Sequence, residues 1–233
     1  METINLDKKI FKYEIKYKAK KNISMRILKT GFIEVRAPLG VSKSTVESII
    51  RKQKKWVMQR EECLKKISED KWYYYLGEKY GLKINYTKSS YCNLKLENNN
   101  FIVDINKGIL KEKRKEIIDC EFKKFYKEKA LQVLKERTKY YGAILGCLPN
   151  KIFIKSQKTL WGSCSSKGNI NYNYKLIMAP LYIIDYIVVH ELCHFKHMDH
   201  SKDFWNLVSS IIPDCKDRRA WLKENGSMIM MKF

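Results

Sequence analysis

The chain has 233 residues, of which 45% are hydrophobic, so it can bury a core and is not an intrinsically disordered protein. Its 47 Lys and Arg against 25 Asp and Glu give a formal net charge of +22. Such an excess is typical either of a protein that meets a polyanion, such as nucleic acid or a nucleotide, or of the Lys-rich composition that an AT-rich genome imposes, since only 8 of the 47 are Arg.

The cysteine usage and the lack of long apolar segments indicate a cytoplasmic protein. Seven cysteines, an odd number, lie far apart without a C-x-x-C pair, which is typical of reduced thiols. No run of about 18 apolar residues is present, and the charged N-terminal segment does not resemble a signal peptide. We therefore expect a soluble, cytoplasmic chain without a membrane partner.

Residues 1–108 are predicted to form a basic, β-rich N-terminal region. Apolar and polar residues alternate over 11–36, which is typical of antiparallel strands with one buried face. A capping box at Ser44-x-x-Glu47 predicts the start of a helix. No internal repeat is visible in the sequence. Strand patterns then return at Trp72–Leu76, Leu82–Tyr86 and Leu94–Ile105, with Asn98-Asn99-Asn100 as a hairpin turn.

Residues 109–233 are predicted to form the catalytic domain, which begins with a long helix from Lys111 to about Tyr141. Pro180 then opens a helix that is apolar almost all round and should be buried, and this helix leads to His190. The other predicted elements are strands at Ile152–Ile154 and Asn169–Lys175 on either side of a Gly/Ser-rich turn (161–168), and helices near Lys202–Ile212, capped by Ser201, and Asp214–Asn225.

All 4 histidines fall within H-E-L-C-H-F-K-H-M-D-H, residues 190–200. His190 and His194 are four residues apart on a predicted helix, so their side chains lie on one face and can share one cation. Glu191, next to the first of them, can reach a water bound to that cation. This is the arrangement that H-E-x-x-H provides in zinc hydrolases.

A catalytic zinc needs a third protein ligand and one open position, and His200 is the better candidate. If the helix continued, His197 would lie about 10.5 Å along the axis from His190, too far for three imidazoles to converge. His200 follows His194 at the spacing found in H-E-x-x-H-x-x-G-x-x-H. His197 then takes the position of the turn glycine, where a left-handed backbone is expected, and histidine enters that region more readily than most residues. Cys164 and Cys193 are interpreted as structural, and Trp205 as a core residue.

Three segments resemble the YgjP-like metallopeptidase family, relatives of the SprT and Spartan zincins. They are T-L-W-G-S-C-S-S-K-G-N-I-N-Y-N-Y-K-L-I-M-A-P (159–180), V-V-H-E-L-C-H-F-K-H-M-D-H-S-K-D-F-W (188–205) and P-D-C-K-D-R-R-A-W-L (213–222). The resemblance implies an α+β, zincin-like fold, zinc on His190, His194 and the His200 of H-S-x-x-F-W, and Glu191 as the catalytic acid and base. One departure is visible: Leu160 precedes W-G-S-C where the family commonly has Arg.

The predicted function is that of a zinc-dependent metallopeptidase in which Zn²⁺ activates a water and Glu191 is the general base. A peptide or protein substrate would add to the edge of the strand at Asn169–Lys175. The candidate substrate-binding residues are Tyr172, Tyr174 and Arg218. Two alternatives stay open: a metal-dependent nucleoside triphosphate pyrophosphatase, which the charge would also suit although no P-loop is present, and a nucleic-acid-binding protein with a structural metal.

Overall fold

The structure is a computed structural model that describes residues 2–28, 30–69 and 72–232, and for residues 67–69 it describes the backbone only. Its strands and helices confirm the predicted α+β class. The chain divides into two compact units, Met1–Asp70 and Lys71–Phe233. Each unit has its own hydrophobic core.

The first unit is a four-stranded sheet followed by two helices, with strand order β1-β2-β4-β3. Strands β2 and β4 are parallel, and the other two pairs are antiparallel. Strand β1 was not predicted, because the two-residue turn after it, Asp7 and Lys8, contains no glycine although both residues have positive φ. The elements are β1 (Glu2–Leu6), β2 (Lys9–Lys18), β3 (Ser24–Ile27), β4 (Ile33–Pro38), α1 (Lys43–Lys52) and α2 (Lys54–Glu69).

Helix α1 is capped by Ser42, and the predicted capping box at Ser44 is wrong. The Ser42 side chain accepts a hydrogen bond from the backbone N–H of Thr45 at 3.2 Å. Glu47 does not complete a box, since its carboxylate accepts the hydroxyl of Tyr13 at 2.7 Å. The Glu47 carboxylate, which the local pattern assigned to the helix start, therefore accepts a hydrogen bond from the sheet.

A buried carboxylate lies in the middle of this sheet. Glu34 in β4 has only 2% of its surface exposed and is surrounded by three cations. Hydrogen bonds from Arg26 first, and then from Lys16 and Arg36, lower the pKa of Glu34 to about 2. Part of the basic excess of the chain is thus used inside its own fold.

The second unit opens with another four-stranded sheet, of order β5-β6-β8-β7, followed by one long helix. The predicted hairpin turn is confirmed, with Asn98 and Asn99 at φ 47° and 60°. The helix ends at Gly146, whose φ of 67° is in the left-handed region that glycine enters at little cost. These elements are β5 (Tyr73–Tyr75), β6 (Glu78–Thr87), β7 (Asn93–Glu97), β8 (Asn100–Asn106) and α3 (Lys111–Leu145).

The two four-stranded sheets have the same topology. Each sheet consists of two hairpins, the first of which has a two-residue turn. The second strands of the two hairpins pair with each other in parallel, and a helix follows. The turns are Asp7-Lys8 in one copy and Leu76-Gly77 in the other. The amino-acid sequence therefore has no visible internal repeat, as expected, but the strand topology is repeated.

The structure divides the chain at a different place from the predicted boundary at 108/109. Phe101, in β8, lies in the same core as Phe122 and Tyr126 of α3, with ring centroids 4.9 Å apart for Phe101 and Phe122. The second sheet therefore belongs with the helix that follows it. The charge does not follow the predicted boundary either, since residues 1–108 carry a net charge of +12 and residues 109–233 carry +10.

Helix α3 has 35 residues and buries one side against the core. Its buried positions recur every four residues, from Ile118 through Phe122, Tyr126 and Ala130 to Leu134, while charged residues cover the other side. In the part of the chain that the structure describes, no helix is both long enough and apolar enough to cross a bilayer.

The last third of the chain contains a three-stranded sheet of order β10-β11-β9 and three helices. Strand β11 is central, parallel to β9 and antiparallel to β10. The strand predicted at Asn169–Lys175 is present as β11, but it is not an edge strand, because both of its edges are paired. Its last predicted residues belong to a 3-10 helix (Tyr174–Met178). The other elements are β9 (Lys151–Lys155), β10 (Gly162–Cys164), β11 (Asn169–Asn173), α4 (Leu181–Cys193), α5 (Lys202–Ile211) and α6 (Cys215–Met231).

Candidate metal centre

Helix α4 carries His190 and Glu191 into the core of the second unit. It is apolar on nearly all sides, and Ile183, Val188 and Leu192 are fully buried. An ion pair joins it to α3, with Arg137 Nε and Nη2 donating to Asp185 Oδ1 and Oδ2 at 2.6 and 2.9 Å. This two-point contact restricts both sliding and rotation of α4.

Three histidines converge at the end of α4. His190 lies in its last turn, His194 follows its last residue, and His200 comes from the segment just before α5. One ring nitrogen from each lies within 4.8 Å of the others, and Nε2 of His190 is 3.1 Å from Nε2 of His200. The structure brings together the three side chains that the spacing predicted as ligands, and their role as ligands stays a prediction.

The pKa values of His190 and His194 favour metal binding. Burial, followed by the neighbouring rings of His194 and His200, lowers the pKa of His190 to about 3. Burial also lowers the pKa of His194. Neutral imidazoles have the free lone pair that a metal requires, and three nitrogen donors match the ligands of a catalytic zinc. The residues present therefore fit a bound Zn²⁺.

His197 contributes its main chain rather than its side chain. Its carbonyl oxygen lies 3.0 Å from Nδ1 of His194, so His194 Nδ1–H donates there and Nε2 is left with its lone pair. No residue between His194 and His200 has a positive φ, so the left-handed conformation expected at His197 is wrong. The chain turns back through ordinary helical hydrogen bonds, including His197 N–H to the Cys193 carbonyl at 3.0 Å.

Two aromatic residues at the start of α5 pack against the histidines. Phe204 is fully buried, and its ring centroid lies 5.0 Å from that of His190, 4.6 Å from His194 and 4.8 Å from His200. Trp205 stacks on His200 with centroids 5.8 Å apart and an angle of 29°. Trp205 was predicted as a core residue, but it is only partly buried and borders the cluster. The Phe-Trp pair in the motif H-S-x-x-F-W is the sequence feature from which both contacts could have been predicted.

Glu191 lies against the backbone of β10. Its side chain is 5% exposed, and burial raises its pKa to about 8, an effect that a hydrogen bond from the backbone N–H of Cys164 partly opposes. A Cβ atom at Gly162 would lie 2.5 Å from Glu191 Oε1 and 2.7 Å from its Cγ. The glycine of W-G-S-C therefore leaves the space that the carboxylate occupies, a role that sequence reasoning missed by interpreting the segment as a turn.

Replacing Gly162 with Ala should displace Glu191 while the histidines stay in place. Because a shift of about 1 Å in a reacting group can cost about a hundredfold in rate, we expect a 10- to 100-fold loss of hydrolysis. Zinc content should not change. Gly81→Ala is the matched control, since its Cβ would lie 2.6 Å from the side-chain oxygen of Asn100 in another sheet. Equal activity of the two variants would contradict the proposed role of this contact.

The three predicted substrate-binding residues are engaged elsewhere. The Tyr172 hydroxyl is fully buried and lies 3.0 Å from Thr138 Oγ1, and Tyr174 is 1% exposed and bonded to Ser156. Arg218 Nε donates to Asp214 at 3.0 Å, and its Nη1 donates to the Tyr182 carbonyl at 2.7 Å. The structure gives none of them a hydrogen bond to the histidines.

No cysteine joins the histidine cluster. Among the described residues, the cluster consists of His190, His194 and His200 alone. All seven cysteines are described and none is paired. Cys193 is fully buried, as expected of a structural residue. Among the described residues the cluster thus has three candidate ligands, one fewer than the four that close a structural zinc site.

The chain was compared with known proteins. A sequence model of the family described as "YgjP-like, metallopeptidase domain" matches residues 21–225. No curated protein matches the chain. Among solved structures, the crystal structure of the metallopeptidase zymogen of Pyrococcus abyssi abylysin is similar at a TM-score of 0.35 and 24% identity, over 39% of this chain and 93% of that one. The family match spans both compact units, whereas the structural similarity covers well under half of the chain.

Proposed function

The chain belongs to the YgjP-like metallopeptidase family, and we propose that it is a zinc-dependent peptidase with a zincin-like active site. The observation that carries this proposal is the convergence of three imidazoles, with ring nitrogens within 4.8 Å of one another, at the end of the helix that also carries the buried Glu191. The fold supports it as well. Two of the histidines come from α4 and its end, the third follows a turn, and β10 packs against α4.

His190, His194 and His200 are the proposed metal ligands. A Zn²⁺ ion held by these residues would supply a Lewis acid that polarises the substrate carbonyl and makes a bound water more acidic. The carbonyl of His197 keeps the His194 ring in the tautomer whose Nε2 faces the cluster. Phe204 contacts all three rings and restricts their rotation, so the donors are held in place before the metal arrives.

Glu191 is the proposed general base. It directly follows the first proposed ligand in α4, and in this role its carboxylate would accept a proton from the attacking water and pass that proton to the leaving amine. Burial raises the pKa of Glu191, whereas the N–H of Cys164 favours its ionised form. A bound dication would also favour the ionised form. Gly162 leaves room for the carboxylate against β10, and the backbone N–H of Cys164 donates a hydrogen bond to it.

Two assays on the same preparation test this function. Purified protein with zinc is incubated with unfolded casein and, separately, with UTP, and each assay is repeated with Glu191→Gln and with a chelator. We expect casein cleavage that depends on both zinc and Glu191. Turnover of UTP alone with the same dependence would replace the peptidase by a nucleotide pyrophosphatase. Turnover of neither, together with bound metal, would favour a structural metal.

A further inference from the structure

A cation lies close to the proposed ligands on the side of α6. The guanidinium of Arg219 is 5.0 Å from the ring centroid of Trp205. Trp205 in turn stacks on His200, and its centroid lies 5.9 Å from that of His190. One aromatic ring therefore separates Arg219 from two of the three histidines.

The charge of Arg219 is not used within the fold. Arg219 is exposed, and the described residues give its guanidinium no ion pair and no hydrogen bond. Its neighbour Arg218 differs, since it pairs with Asp214 and donates to the Tyr182 carbonyl. Stacking on Trp205 holds the guanidinium plane, yet the N–H groups at its edge stay available to a ligand.

We propose that Arg219, supported by Trp205, binds a carboxylate of the peptide substrate next to the scissile bond. This inference rests on the proposed peptidase function. The anionic groups of an unmodified peptide are carboxylates, and a guanidinium binds a carboxylate through two parallel hydrogen bonds. The carboxylate comes either from an Asp or Glu side chain or from the C-terminus, and both sources present the same chemistry.

Peptide binding to zinc-loaded Glu191→Gln tests this subsite without turnover. Fluorescence anisotropy is measured with labelled, C-terminally amidated peptides in which Glu, Gln or Lys is scanned through each position, and with a Gln series that ends in a free carboxylate. We expect Glu at one position, or the free C-terminus, to bind about 5- to 10-fold more tightly than its neutral counterpart. The responding series identifies the source of the carboxylate.

Added substitutions then assign the preference to one residue. Arg219→Gln should abolish the difference between Glu and Gln peptides, and Arg219→Glu should favour the Lys peptide. Lys223→Gln removes the same charge one turn further along α6 and should keep the preference. Binding without a charge preference, or a preference that survives Arg219→Gln, would overturn the role of Arg219. Failure of every peptide to bind would count against the peptidase function itself.

Discussion

Glu191→Gln should keep about one zinc ion per chain and lose about 10²- to 10⁴-fold of its hydrolysis rate. The substitution preserves the shape of the side chain and leaves all three histidines unchanged. It removes only the group that takes the proton.

Steady-state hydrolysis and metal content by mass spectrometry, measured on one preparation, check this result. Glu224→Gln, an exposed glutamate on α6, controls for the amide substitution and should behave as wild type. Full activity of Glu191→Gln would remove Glu191 from the mechanism. Loss of zinc together with activity would show that the carboxylate helps to hold the metal, which would also contradict the assignment.

His200→Ala should lose most of its zinc affinity, whereas His197→Ala should keep it. Removing Nε2 of His200 leaves two donor atoms for the metal. We therefore expect the zinc affinity to fall by more than about 100-fold, which exceeds the usual effect of removing a residue that only hydrogen-bonds to a ligand. Alanine at 197 still has a backbone carbonyl, so the hydrogen bond to His194 Nδ1 survives. Any loss of activity in His197→Ala should therefore occur with metal bound.

Competition with a chromophoric chelator measures both affinities, with His194→Ala as a second ligand variant that should also lose its metal. The comparison of His197→Ala with His200→Ala is stringent, because the two histidines are only three residues apart in the same turn. If His197→Ala lost zinc and His200→Ala kept it, the third ligand would be misassigned. Equal, small losses in both would mean that two histidines suffice to bind the metal.

The sequence predicted the parts of the site that local spacing determines. Residues four apart on a helix face the same way, and a turn of six residues returns the chain, so the convergence of His190, His194 and His200 followed from the pattern. The buried α4 and the cap at Ser201 were also local features. These predictions needed no knowledge of which elements pack together.

Features that depend on distant contacts could not be predicted in this way. The contact of Gly162 with Glu191 joins residues 29 positions apart, and β11 is central only because β9 and β10 both pair with it. The unit boundary near residue 70 reflects packing of β8 against α3, which the strand pattern alone does not reveal. The local pattern also did not reveal that Ser42 rather than Ser44 caps α1, or that Glu47 accepts a hydrogen bond from Tyr13 of the sheet.

The repeated strand order has a consequence for how the chain folds. Two sheets with the same hairpins offer each strand a second, topologically equivalent partner, and exchange between copies is a characteristic failure of repeat proteins. Differences between the copies oppose such exchange. The turn of one copy is Asp7-Lys8 and that of the other is Leu76-Gly77, and β1 has five residues where β5 has three. These differences in turn and strand length would make an exchanged pairing less favourable than the native one.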